Sequence, residues 1–117
     1  MEFIEATAFT RQLQNYLKDD EYRSLQDALA ENPERGEVMP GTGGFRKMRW
    51  ADERRGKGKR GGLRIINFYF EEDDQIWLLT LYGKDEAADL SNPQKIALQA
   101  AITSEKAARR ARRSGRR

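Results

Sequence analysis

Apolar residues in Phe3–Phe9 fall at alternate places, with Ile4, Ala6 and Ala8 following Phe3. That alternation predicts a first β-strand. From Thr10, a residue suited to capping a helix, the pattern changes: Leu13, Tyr16 and Leu17 recur at helical spacing. Lys18-Asp19-Asp20 interrupts the run, and Asp20 can cap a second helix with Tyr22, Leu25, Ala28 and Leu29 on one face. Asn32-Pro33 stops it. Two short helices joined so tightly predict a helical hairpin or one bent helix.

Pro40-Gly41-Thr42-Gly43-Gly44 is turn chemistry. Phe45–Trp50 then alternates, with Phe45, Lys47 and Arg49 on one side and Arg46, Met48 and Trp50 on the other, as in a half-buried strand. A loop rich in basic residues and glycine follows, RRGKGKRGG (54–62). Leu63–Phe70 and Gln75–Tyr82 are strongly β-prone and joined by the acidic turn 71–74. Both strands are apolar on both faces, which places them at the centre of a sheet covered on each side. Ser91-Asn92-Pro93 starts a last helix with Leu98, Ala101, Ile102 and Glu105 on one stripe. The predicted order is β-α-α-β-β-β-α. Strands linked by short turns imply a small antiparallel sheet with helices packed on it, an α+β fold over residues 1–105. Residues 106–117 form a basic tail, either a helical extension or disordered.

Composition narrows the chemistry. The 117 residues contain no cysteine and no histidine, which removes disulfides, thiol nucleophiles, thiolate zinc sites and a histidine base. Catalysis would have to use Lys, Arg, Tyr, carboxylates or hydroxyls, and an all-carboxylate site for a hard cation stays open. No stretch approaches the roughly 20 apolar residues of a membrane span. MEFIEATAF carries acids where a signal peptide needs a basic start, so a cytoplasmic location is expected.

Charge is unevenly placed. Nine of the 22 basic residues lie in 46–64 beside two acids, and seven lie in 106–117 with none. The rest of the chain keeps six basic residues against 17 acids. An acidic body with two basic zones is the footprint of a polyanion binder.

The element order and three motifs resemble the RelE/ParE superfamily of bacterial toxins, closest to its HigB-like branch. The motifs are GTGGFRKMRW (41–50), GKGKRGGLRIINFYF (56–70) and LLTLYGKDEAADL (78–90). With the two early helices the likeness covers roughly residues 1–104. It implies a toxin of a type II toxin–antitoxin pair, a metal-independent, cofactor-free endoribonuclease that cuts translated mRNA in the ribosomal A site and arrests growth. It also implies partners: a cognate antitoxin, expected to be a helix-turn-helix protein, the ribosome with its rRNA, mRNA, and operator DNA reached through the antitoxin.

Attack of a 2′-hydroxyl on the adjacent phosphate needs a proton acceptor, cations on the crowded phosphorane, and a proton donor for the leaving oxygen. Without histidine, a lysine can accept the proton when cationic neighbours disfavour its charged form. By resemblance the family's strand lysines correspond to Lys47 and Arg49. Its arginine at the start of the next strand corresponds to Arg64, inside GGLRII. After the last strand, Lys84 is the basic candidate and Tyr82 the tyrosine for stacking or proton transfer. The family's arginine in that region is replaced by Asp85, and its later tyrosine by Asp89 or Leu90. Arg46, Arg54, Arg55, Lys57, Lys59 and Arg60 are expected to grip RNA or ribosome backbone.

Each candidate also has a plainer role. Lys47 and Arg49 suit a solvated strand face, and Tyr82 suits a core. Trp77 is expected in the core, and Trp50 either packs or stacks on RNA. The 71–74 acids suit a solvated turn. The basic tail either adds affinity for rRNA or has no defined role. Two other functions share the same size and charge: a ParE-like inhibitor of DNA gyrase acting by binding, and a non-catalytic rRNA- or DNA-binding protein.

Overall fold

A computed structural model describes residues 1–53, 56, 62–84 and 90–115. The order of elements is β1 (Glu2–Glu5), α1 (Thr7–Tyr16), α2 (Asp19–Glu31), β2 (Glu37–Val38), β3 (Arg46–Trp50), β4 (Leu63–Phe70), a 3-10 turn (Glu71–Asp73), β5 (Gln75–Gly83) and α3 (Asn92–Ser114). The five strands form one sheet in the order β1-β5-β4-β3-β2. The fold is a compact α+β arrangement with a mixed sheet.

The mixed sheet corrects the antiparallel expectation. Strands β2 to β5 pair antiparallel, but β1 runs parallel to β5, with Phe3 opposite Ile76 and Ile4 opposite Trp77. Short turns fix the direction of neighbours in sequence; β1 reaches β5 across some seventy residues, where no turn sets the sense. The first strand is also shorter than expected. Phe9 belongs to α1 and is fully buried, because Phe9, Leu13 and Tyr16 are spaced as one helical face. Thr10 does not cap that helix; its hydroxyl donates to Glu5 Oε1 at 2.6 Å. The second helix starts one residue before Asp20, and the Lys18 backbone N–H donates to Glu21 Oε1 at 2.7 Å. Strand β2, two residues long, is too short to leave a pattern in the sequence.

The cover on each face is as the apolar runs predict. On one face α1 and α2 bring Phe9, Tyr16, Leu25 and Leu29 against Met48, Leu63, Ile65, Ile76, Leu78 and Leu81. On the other, α3 seats Ile102 against Phe45, Ile66, Phe68 and Phe70. Full burial of a side chain such as Ile102 stabilises by roughly 1.5–3 kcal/mol, so each helix layer is held by a few such contacts. Ser91 caps α3 in both directions: its hydroxyl accepts from the Gln94 N–H at 3.3 Å and its N–H donates to Gln94 Oε1 at 2.8 Å. Among the described residues no helix is long and apolar enough to cross a membrane.

Candidate nucleic-acid interface

Alternation along β3 and β4 decides which cations meet. Met48 belongs to the α1–α2 face and Phe45 to the α3 face, so Lys47 and Arg49 point to the α3 side. On β4, Leu63 and Ile65 face α1–α2, while Arg64 and Ile66 face α3. The register places Arg49 opposite Arg64, and Arg64 opposite Tyr82. Three strands therefore carry Arg49, Arg64 and Tyr82 in one row, spanning about 10 Å at the usual strand spacing. Lys47 lies one pleat further along β3, opposite Ile66.

The members of this row differ in exposure. Arg49 is open to solvent, whereas Arg64 is 8 % exposed and donates from Nη1 to the Leu63 carbonyl at 3.2 Å. Tyr82 is half-buried and packs its ring with the α3-side cluster. Lys84 is exposed and directly follows β5, where its N–H donates to the Gly62 carbonyl at 3.0 Å. That bond ties the strand ends carrying Arg64 and Tyr82. A phosphodiester laid across the row would meet two guanidiniums with paired donors and an aromatic ring beside them.

No protein-family model matches this chain.

The other expected contacts divide. Arg46 faces away from the row and holds the loop after α2: Nη1 donates to the Glu34 and Gly36 carbonyls at 3.1 and 3.0 Å, and Nη2 pairs with Glu34 Oε2 at 3.0 Å. Arg54, Arg55, Lys57, Lys59 and Arg60 lie outside the described residues, as do Asp85 and Asp89. Trp50 packs against the α1–α2 core with the Arg35 guanidinium 5.8 Å from its ring centre. Trp77, expected in the core, is partly buried against the α3-side cluster and packs edge-on to Phe70 at 5.0 Å. Among the described residues no group of acids, histidines or cysteines is arranged to hold a metal ion.

The basic tail has a structural part that sequence alone did not single out. Helix α3 runs unbroken through Ser114, and its arginines meet the acidic turn after β4. Arg109 is 8 % exposed; Nη1 lies 2.7 Å from Asp73 Oδ2 and 2.7 Å from Gln75 Oε1, and Nε lies 2.9 Å from Glu105 Oε2. Its guanidinium sits 3.7 Å from the Phe70 ring centre. Arg113 pairs with Glu72 at 2.6 Å. The signal was present as two opposite charge runs, 71–74 and 106–117, but only the β4–β5 hairpin and the length of α3 bring them together. Arg109, beside Asp73, holds that carboxyl below its ordinary value of 3.8 through a hydrogen bond, opposed by partial desolvation.

Proposed function

We propose that the protein is a toxin of a type II toxin–antitoxin pair with the RelE/ParE fold, acting as a ribosome-dependent mRNA endonuclease. The row Arg49–Arg64–Tyr82, with Lys47 beside it, supports this activity. Arg64 is nine-tenths buried at the start of a central strand, so its guanidinium is held in a fixed place beside Arg49. Two guanidiniums and a lysine on one sheet face suit a phosphate that gains negative charge in the transition state.

In the proposed step the 2′-oxygen forms a bond to the adjacent phosphorus and the bond to the 5′-oxygen of the next nucleotide breaks. The 2′-hydroxyl proton passes to a base, and the leaving 5′-oxygen takes a proton from an acid. The products are a 2′,3′-cyclic phosphate and a 5′-hydroxyl. Arginine stays protonated, so Arg49 and Arg64 clamp the phosphorane rather than move protons. Proton transfer falls to Lys47 and Lys84, since the Tyr82 hydroxyl is itself buried and leaves that residue its ring for stacking. The ribosome supplies the substrate in place. A helix-turn-helix antitoxin neutralises the toxin and carries it to operator DNA.

The test is induced expression with mapping of mRNA 5′ ends, comparing wild type with Arg64→Ala. Codon-linked cuts that vanish in the variant are expected. Growth arrest with intact mRNA and broken DNA would instead make the protein a gyrase inhibitor. Absence of arrest would leave only a nucleic-acid-binding role.

A further inference from the structure

A second pair of cations, which shares Lys47 with the surroundings of the row, lies further along the same sheet side. Lys47 from β3 and Lys95 from the first turns of α3 line one cleft of about 170 Å³, together with Glu37, Val38, Met39 and Pro40. The two lysines come from different layers, so only the docking of α3 brings them together. The Lys95 N–H donates to the Ser91 carbonyl at 3.0 Å, which fixes the turn that presents its side chain. The Lys95 stem passes Gly41, where a β-carbon would sit 3.9 Å from its Cδ. Among the described residues Lys95 makes no ion pair.

Resting on the proposed ribonuclease activity, we infer that this cleft holds a second phosphodiester of the same single-stranded RNA. Lys95 is a backbone-positioning residue and Lys47 is shared between cleft and row. The RNA backbone then runs from the Arg49–Arg64–Tyr82 row along β3 toward the start of α3. A compact ammonium binds phosphate as a point charge without reading the base. Lys95 therefore adds affinity and salt dependence, not sequence preference. Glu37 stands opposite Lys47 across β2 and β3 and lines the same cleft. Its carboxylate opposes the incoming phosphate and weakens this contact.

The experiment measures binding of a short single-stranded RNA with methylated 2′-oxygens, which cannot be cut, across a salt series. Lys95→Ala is expected to make the slope of log affinity on log salt shallower by roughly 0.7, one counterion's worth on a single strand. Lys95→Arg is expected to keep the wild-type slope, and Glu37→Gln to tighten binding at low salt. All three variants are expected to melt as wild type does, since neither side chain makes an internal hydrogen bond or ion pair among the described residues. A slope unchanged in Lys95→Ala, with Arg64→Ala still abolishing mRNA cuts in cells, overturns the cleft and leaves the ribonuclease reading standing. Cuts that persist in Arg64→Ala overturn the ribonuclease reading, whatever the slope.

Discussion

Tyr82 faces Arg64 because the register between β4 and β5 slips by one residue. Beyond Asn67 the pairs run Asn67–Leu78, Phe68–Trp77 and Phe70–Gln75; before it they run Ile66–Thr80 and Arg64–Tyr82. The extra residue on β5 is Leu79. In the unslipped register Arg64 would face Leu81, and Tyr82 would point into the α1–α2 core. A bulge of this kind re-aims side chains near the end of a strand, and here it completes the row that the proposed chemistry uses.

The geometry of Arg64 makes its substitution by lysine informative. A lysine keeps the charge but loses the paired donors that match two phosphate oxygens. Arg64→Lys is therefore expected to lower mRNA cutting about 100-fold or more, a loss of the size seen when one transition-state donor is removed. Circular dichroism should show the fold unchanged. Near-normal cutting by the lysine variant would mean that charge alone suffices and that no bidentate clamp exists.

Much of this arrangement was legible in the sequence, for identifiable reasons. The cover on both faces of β4 and β5 follows from strands that carry apolar residues on both faces. The shared face of Lys47 and Arg49 follows from a period of two, and the capped start of α3 from Ser91-Asn92-Pro93. The slip at Leu79 leaves no trace, because Leu78, Leu79 and Leu81 are all apolar and either register reads alike. The parallel pairing of β1 with β5 depends on contacts some seventy residues apart. Arg46 was expected to grip RNA with its basic neighbours, although the period of two already set it on the side away from Lys47 and Arg49; its hold on the loop after α2 left no mark in the sequence.

Arg109 joins α3 to the β4–β5 hairpin, and its loss should be measurable as stability. Its contact with the Phe70 ring alone is worth about 1 kcal/mol, and a change of that size lowers the melting temperature of a chain this long by roughly 4 °C. Arg109→Ala is expected to melt at least that much earlier at pH 7. The advantage of wild type should also depend on acid. Asp73 titrates below its ordinary value of 3.8 in the folded protein, so its contribution is present above that value and lost as pH falls through the lowered one. The gap between the two melting temperatures is expected to stay level from pH 7 to 5 and to narrow below pH 4. A gap constant down to pH 2 would show that the Arg109–Asp73 pair adds nothing.

Gly43 in the GTGG turn sits where α3 crosses the sheet. Its φ is +81°, and a β-carbon there would lie 2.7 Å from Ile102 Cγ2, the buried anchor of α3. Backbone strain and overlap act together, so Gly43→Ala is expected to destabilise by about 2 kcal/mol. The adjoining Gly41→Ala shares the strained φ but has only the 3.9 Å Lys95 contact. It should cost less. Equal losses at the two positions in a urea titration would show that α3 does not pack on Gly43.

The alkaline limb of stability should report on Tyr22. Its hydroxyl donates to Glu5 Oε2 at 2.7 Å, and Glu5 also accepts from Thr10, so one carboxylate at the end of β1 ties α1 and α2 to the sheet. Burial, and then the hydrogen bond to Glu5, raise the Tyr22 phenol well above its ordinary value of 10.0. A raised folded value means that the contribution is complete below pH 10 and is lost as pH rises through the folded value. Tyr22→Phe should therefore melt earlier than wild type at pH 8, with the gap closing above pH 10. In ultraviolet titration the wild-type protein should also hold back one tyrosinate signal until the fold gives way. Ionisation of Tyr22 at an ordinary pH, with the protein still folded, would show that the Glu5 bond does not persist in solution.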